Sequence, residues 1–267
     1  MTPRILVWGY GKMTGAMVEG WLASGMSADA ITAYNPRPKE TPRGVRMTTE
    51  RPDEAFDVVV LGFKPHMLRD VAPEMAAVVG SQTTILSVLA GVELSTLRAT
   101  FPDAALIVRF MPNLACALNK SPNALVGDGG SEGDRARITG LAQRLGTAEW
   151  LGNESQFDLV TALAGSGPAF VYRFIDALSA AATELGLERT QAERLAVQMF
   201  EGAGALAARS QHSPSELATC VASPGGMTQK GLDVLDDSEA LVALLRETLR
   251  AASDRGAELA AQARGEG

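Results

Sequence analysis

Four apolar residues, Ile5-Leu6-Val7-Trp8, run straight into Gly9-Tyr10-Gly11-Lys12-Met13-Thr14-Gly15, and a helical pattern carrying Met17, Val18, Trp21 and Leu22 follows. Strand, glycine turn and helix in that order form the opening of a dinucleotide-binding βαβ unit, which folds with one handedness and one sheet edge for its ligand. Gly9 permits the tight turn. Gly11 lets backbone N–H groups approach a pyrophosphate, whose charge is favoured at the helix N-terminus. Thr14 holds the place of the third glycine, where helix and strand pack closely, and Gly15 beside it is expected to relieve the crowding. A bare G-x-G is an ordinary turn as often as not; its position after the first strand of an alternating chain favours a nucleotide.

Further short apolar runs alternate with helical patterns: Ile31 to Tyr34, Asp57 to Leu61, Thr84 to Val88 and Ala105 to Val108. Near-continuous apolar strands separated by crossovers predict a parallel sheet covered on both faces. Charge shows where this pattern stops. Residues 1–152 hold 15 basic and 15 acidic groups, residues 153–267 hold 9 and 16, and ten of the thirteen prolines fall in the first part. The second part is rich in Ala, Leu, Glu and Arg, which favour helix. Two domains are expected, 1–152 mixed and 153–267 helical. In the helical part, Pro168 is expected at the first position of a helix stopped by Gly186, and Thr190 with Glu193 and Ser213 with Glu216 fit capping boxes.

At the end of the second strand the chain reads Tyr34-Asn35-Pro36-Arg37-Pro38-Lys39, with no carboxylate to repel a 2′-phosphate. Asn35 can donate a hydrogen bond to that phosphate and Arg37 can pair with it, so NADP(H) is expected, with NAD(H) as the alternative. Three more segments end strands on the ligand-binding edge: Gly62-Phe63-Lys64-Pro65, Ser87 to Gly91, and Arg109-Phe110-Met111-Pro112-Asn113. Ala164 to Phe170 and Val221 to Thr228 place small residues and free N–H groups before helices, which suits a small carboxylate.

Taken together, the Gly9–Met13 turn, Lys64-Pro65, Ser87 to Gly91, Met111-Pro112-Asn113, Gly165 to Ala169 and Ser223-Pro224-Gly225-Gly226 with Thr228 resemble the pyrroline-5-carboxylate reductase family along nearly the whole chain. The resemblance implies an α/β chain: an N-terminal Rossmann-type parallel-sheet domain followed by an all-α C-terminal dimerisation domain, in a homodimer or a larger ring of dimers. It also implies NAD(P)H-dependent reduction of a cyclic imine, 1-pyrroline-5-carboxylate, to L-proline. Carried over residue by residue, it adds Lys12, Met13, Lys64, Pro65, Ala90, Gly91 and Asn113 to the cofactor residues Gly9, Gly11, Asn35 and Arg37. The substrate falls to Ser223, Gly225, Gly226, Met227 and Thr228, with Thr228 as the catalytic hydroxyl near the ring nitrogen. Three places depart from the family's habit: Lys12 and Thr49 where Asn is common, and the segment after Met111-Pro112-Asn113, where a Gly is common near Ser121.

A protonated imine is already electrophilic, so positioning is the main task left to side chains. Ser166 and Pro168 are expected to shape a helix start, and His66 and His212 to lie in surface loops. A paralogous reductase of a related cyclic imine is the alternative within the family. The β-hydroxyacid dehydrogenases pair similar domains but carry a catalytic lysine on the first long helix of the helical part, where this chain has Arg173 and no lysine before Gly186. A nucleotide-sensing protein without catalysis is the non-enzyme alternative. A net charge of −7 with no basic run argues against nucleic acid. Two cysteines 104 positions apart and two histidines argue against a disulfide frame or a metal site. The first residues, Met1-Thr2-Pro3-Arg4 and four apolar residues, are too short for a signal core, and no apolar stretch reads as a membrane span, so a cytoplasmic protein is expected.

Overall fold

The computed structural model describes residues 2–264. In chain order the first elements are β1 (Ile5–Trp8), α1 (Lys12–Ala23), β2 (Ile31–Tyr34), β3 (Arg46–Thr48), β4 (Val58–Leu61), α2 (Leu68–Val71), β5 (Thr84–Ser87), α3 (Leu94–Thr100) and β6 (Leu106–Met111). They are followed by β7 (Ser121–Gly129), α4 (Glu132–Gln143), β8 (Gly146–Trp150) and α5 (Phe157–Val160). The helices α6 (Gly167–Glu184), α7 (Arg189–Ala207), α8 (Pro214–Val221), α9 (Met227–Asp236) and α10 (Ala240–Arg264) complete the described chain.

The strands form one sheet in the order β3-β2-β1-β4-β5-β6-β7-β8, with the direction of growth reversing beside β1. Strands β1 to β6 are parallel, as expected, and β1, β2, β4 and β5 are buried along their whole length. The pair β6 and β7 is antiparallel, a correction to an all-parallel sheet. Between them the chain makes only a 3-10 turn, Leu114–Leu118, and reverses at Asn119 in the left-handed conformation. A parallel crossover needs a dozen or more residues, so this link can only return antiparallel. One face packs α1 and α4 through Met17, Val18, Trp21 and Leu141, and the indole N–H of Trp21 donates to Leu141 O at 3.0 Å. The other face gathers Phe56, Leu68, Met75 and Leu97.

The compact division falls at Ser166 and Gly167 rather than at residue 152, and the chain from Arg250 on groups with the first unit. The physical reason is that residues 154–166 are tied to β6: Asn113 Nδ2 donates to Ala164 O at 2.9 Å, and Arg109 pairs with Glu154. In the second unit, Gly167 to Leu249, only Ser179, Ala192 and Ala196 are fully buried. Gly186, at φ +110, stops α6 as expected. The Ser213 and Glu216 capping box is present, with Pro214 opening α8. The other expected box is not. Glu188 caps α7, accepting the N–H groups of Thr190 and Gln191, and Glu193 pairs with Arg189 instead. The helix starts at Arg189, so the acidic side chain two residues before Thr190 takes the first orphan donors. Pro168 is the second residue of α6, not the first.

Candidate functional site

The strand order changes direction between β1 and β4, and the cleft beyond the carboxyl ends of such strands is where open α/β sheets bind ligands. Gly9 follows β1 at φ +96, and a Cβ there would stand 2.7 Å from Phe63 N and 2.8 Å from Gly62 C. The two turns therefore touch through backbone alone. Gly62 is small for the same reason: its Cβ would collide with Gly9 O and lie 2.5 Å from Thr14 Cγ2. The room for Thr14 thus comes from Gly62, not from Gly15, whose Cβ would make only ordinary contact with the Tyr10 hydroxyl at 3.5 Å. Buried Thr14 also has a task of its own. Its Oγ1 accepts the Gly11 N–H at 2.8 Å and donates to Gly9 O at 3.1 Å, locking the turn.

Gly11 is different. Its φ is an ordinary −132, it is exposed, and among the described residues no atom beyond its own chain neighbours lies within 4 Å of where a Cβ would be. Nothing inside the protein requires glycine there, and the open space suits a ligand approaching the backbone. The Gly11 N–H is committed to Thr14, so the outward donors of the turn are the N–H groups of Lys12 and Met13, which have no intrahelical acceptor. Around this edge Lys12, Arg37, Lys39 and Lys64 are exposed and, among the described residues, carry no ion pair. The turn and its cations fit a dinucleotide phosphate.

The other residues expected on this edge divide by what they touch. Asn35 follows β2, but its amide donates to Arg37 O at 2.7 Å, shaping the loop that carries the Arg37 guanidinium into solvent. Lys64 and Pro65 open the 3-10 turn after β4. Ala90 is exposed in the loop after β5, whereas Gly91 is buried at φ +72 against the backbone of α10. Asn113 is buried with both ends of its amide in use, Oδ1 accepting from Ala115 N at 2.9 Å and Nδ2 donating to Ala164 O. Packing accounts for Gly91 and Asn113 without a ligand. The Gly165 segment likewise departs from a loop of free donors. Thr161–Gly165 is a π turn in which Ser166 N donates to Thr161 O at 3.0 Å.

In the second unit, Ser223 to Gly226 form a tight turn closed by Gly226 N donating to Ser223 O at 2.9 Å. Pro224 and Gly225, at φ +71, occupy its middle, the pattern of a type II turn. Gly226 then caps α9 without a side-chain bond, so the N–H groups of Met227 and Thr228 have no intrahelical acceptor. Thr228 is exposed, and its hydroxyl makes no hydrogen bond among the described residues, which removes the role of a helix cap. Ser223 and Met227 are exposed beside it. The five residues expected to bind substrate therefore lie in this turn and the first two positions of α9, where the N–H groups of Met227 and Thr228 are unspent.

Residues 154–259 match the family model described as pyrroline-5-carboxylate reductase dimerisation, and residues 4–91 match that described as NADP oxidoreductase coenzyme F420-dependent. The chain is 33% identical to the pyrroline-5-carboxylate reductase of Pseudomonas aeruginosa over 98% of both chains. It belongs to the pyrroline-5-carboxylate reductase family. A second relative, pyrroline-5-carboxylate reductase 2 of Bacillus subtilis, is 34% identical over 92% of each chain. The solved pyrroline-5-carboxylate reductase from Coxiella burnetii superposes with a TM-score of 0.89 at 31% identity, covering 97% of this chain and 99% of that one. The Plasmodium falciparum pyrroline carboxylate reductase, solved with NADP bound, shares the fold at 22% identity and a TM-score of 0.78, covering 97% and 98%. The start of the dimerisation model at residue 154 follows descent, whereas the division at Ser166 follows packing.

Of the three departures from the family's habit, Ser121 has a structural reason: its hydroxyl accepts the Asn113 N–H at 2.9 Å. Thr49 is exposed in the bend after β3, and Lys12 stands free at the first turn of α1. His66 and His212 are exposed, as expected. Cys116 and Cys220 are both free, and burial pushes the Cys116 thiol up to about 12. The cluster of Arg109, Glu154 and Asp158 escaped the sequence reading, although one arginine inside the apolar run Leu106 to Met111 is a visible signal.

Proposed function

We propose that this protein reduces 1-pyrroline-5-carboxylate to L-proline with NADPH, as a homodimer working in the cytoplasm. The observation that carries the reading is the pairing, in one chain, of a Gly9–Met13 turn open to a dinucleotide phosphate with a Ser223–Thr228 segment whose Met227 and Thr228 N–H groups have no intrahelical acceptor. When bound, NADPH would supply the hydride that the imine carbon accepts. Lys12, Arg37 and Lys64 supply positive charge at the sheet edge, where no acidic residue follows β2 to oppose a 2′-phosphate. The N–H groups at the start of α9 and the Ser223 hydroxyl take the substrate carboxylate, and Thr228 Oγ1 is free to hydrogen-bond the ring nitrogen. No side-chain acid stands beside that hydroxyl in the turn, so the proton arrives with the imine or from water.

The second unit supports the dimer. Phe174, Leu195, Met199 and Leu244 are each more than 40 % exposed, while only three small side chains of the unit are fully buried, so a second copy supplies the missing core. The described helices include none long and apolar enough to cross a membrane. The test is NADPH oxidation with the cyclic imine and, separately, with a β-hydroxyacid and NADP. Turnover of the imine alone supports the reading; turnover of the hydroxyacid alone overturns it.

A further inference from the structure

Arg109 interrupts β6 between Val108 and Phe110, both buried, and is itself only 4 % exposed. Its Nη1 donates to Glu154 Oε1 at 2.7 Å, its Nη2 lies 3.7 Å from Asp158 Oδ1, and its guanidinium carbon sits 4.0 Å from the centre of the Phe157 ring. Its Nε is buried without an acceptor among the described residues. The cluster reaches two other elements. Glu154 Oε1 also accepts the N–H of Leu94, the first residue of α3, at 2.8 Å. A Cβ on Gly256 of α10 would stand 3.2 Å from Asp158, so α10 passes directly over that carboxylate. Three residues further on, α10 meets Gly91, where a Cβ would lie 3.0 Å from the Leu259 carbonyl carbon and 3.1 Å from Ala260 N.

The segment leading from β5 into α3 is therefore held at two points, at Gly91 by α10 and at Leu94 by Glu154, and both holders converge on Arg109. Buried charges are poor stabilisers, because apolar residues of similar volume usually serve as well or better. What the planar guanidinium adds is direction: it orients the Glu154 carboxylate through a hydrogen bond and draws Asp158 by charge at 3.7 Å. The held loop also has a defined place along the crevice. Arg37 follows β2 on one side of β1, and β5 lies beyond β4 on the other, so Ser87 to Gly91 border the end of a dinucleotide away from its 2′-phosphate.

We propose that Arg109 is a positioning residue for the nicotinamide half of the cofactor, acting through Glu154 and Asp158 on the Ser87–Gly91 loop. The proposal rests on the NADP(H) reading above. Its test compares two probes by calorimetry, NADPH and adenosine 2′,5′-bisphosphate, which carries the phosphate-bearing half without nicotinamide. The triple variant Arg109→Met, Glu154→Gln, Asp158→Asn removes all three charges together, leaving none unpaired. Its NADPH affinity falls about tenfold while its affinity for the bisphosphate stays within about twofold of wild type. Failure of wild type to bind the bisphosphate defeats the cofactor reading itself. With both probes bound by wild type, a triple variant that keeps both affinities, or loses both equally while folded, overturns the proposal. Should the triple variant not fold, Glu154→Leu, at a side chain 29% exposed, gives the same split, and Glu154→Gln, which beside an intact Arg109 keeps an oxygen for both its guanidinium and the Leu94 N–H, restores NADPH binding. Equal NADPH affinity in Glu154→Leu and wild type then overturns it.

Discussion

Gly9→Ala and Gly11→Ala, two residues apart in one turn, should fail in opposite ways. Gly9 sits at φ +96, where an L side chain is strained by roughly 1–3 kcal/mol. Its new methyl would also meet Phe63 N at 2.7 Å and Gly62 C at 2.8 Å, backbone atoms that cannot rotate aside. Overpacking of this kind costs another 1–3 kcal/mol or so, giving a total of about 2–6 kcal/mol and a fall in Tm of about 5–20 °C. Gly11 has an ordinary φ and no neighbour within 4 Å of the added carbon, so its stability should stay within about 0.5 kcal/mol of wild type. The methyl instead fills the space through which a pyrophosphate reaches the N–H groups of Lys12 and Met13. Losing one such charge-assisted bond costs about 1.5–3 kcal/mol, a ten- to hundredfold weaker NADPH complex. Thermal unfolding without ligand and calorimetric titration with NADPH read the two effects separately. Unchanged NADPH affinity in Gly11→Ala would refute the pyrophosphate placement, and an unchanged Tm in Gly9→Ala would refute the close approach of the two turns.

Arg37→Ala, at an exposed guanidinium with no ion pair among the described residues, should reduce the preference for NADPH over NADH by about tenfold in kcat/KM, with no change in Tm. Equal use of both cofactors by wild type would contradict the reading of that loop. Thr228→Ala should lower kcat/KM for the imine by about ten- to a hundredfold while leaving NADPH affinity and Tm unchanged, because the hydroxyl has no partner to lose among the described residues. A lower Tm with normal kinetics would make it structural. Hydrogen bonds from Ser131 hold the Asp134 carboxyl below its ordinary value. The folded state therefore gains from this box above the unfolded pKa and loses that gain as pH falls through the lowered one. Asp134→Asn should lower Tm at pH 7, and the gap to wild type should close in acid; a gap that widens in acid would contradict the box.

What the sequence made legible follows from how local each signal is. The runs Ile5 to Trp8, Ile31 to Tyr34, Val58 to Leu61 and Thr84 to Ser87 are fully buried central strands, so continuous apolarity announces them. Arg46–Thr48 is a three-residue edge strand with polar ends, and Ser121–Gly129 opens on Ser-Pro-Asn and closes on Gly-Asp-Gly, which reads as loop. The Gly9 turn was legible because its residue types answer to backbone geometry within a few positions. The role of Gly62 was not, because its neighbour Thr14 arrives from another strand's helix. For the same reason Asn113 and Gly91, motif residues in the sequence, proved to be engaged in packing against segments 51 and more residues away. The Ser223 turn was visible, since Pro-Gly-Gly is its own geometry.

Hydride transfer from the nicotinamide to a cyclic imino acid can be followed with deuterium. Wild-type protein incubated with NADPH carrying deuterium at the transferable C4 position and with 1-pyrroline-5-carboxylate should yield L-proline bearing one deuterium, on the ring carbon that had been double-bonded to nitrogen. Proline without the label, or no proline at all, would contradict the account.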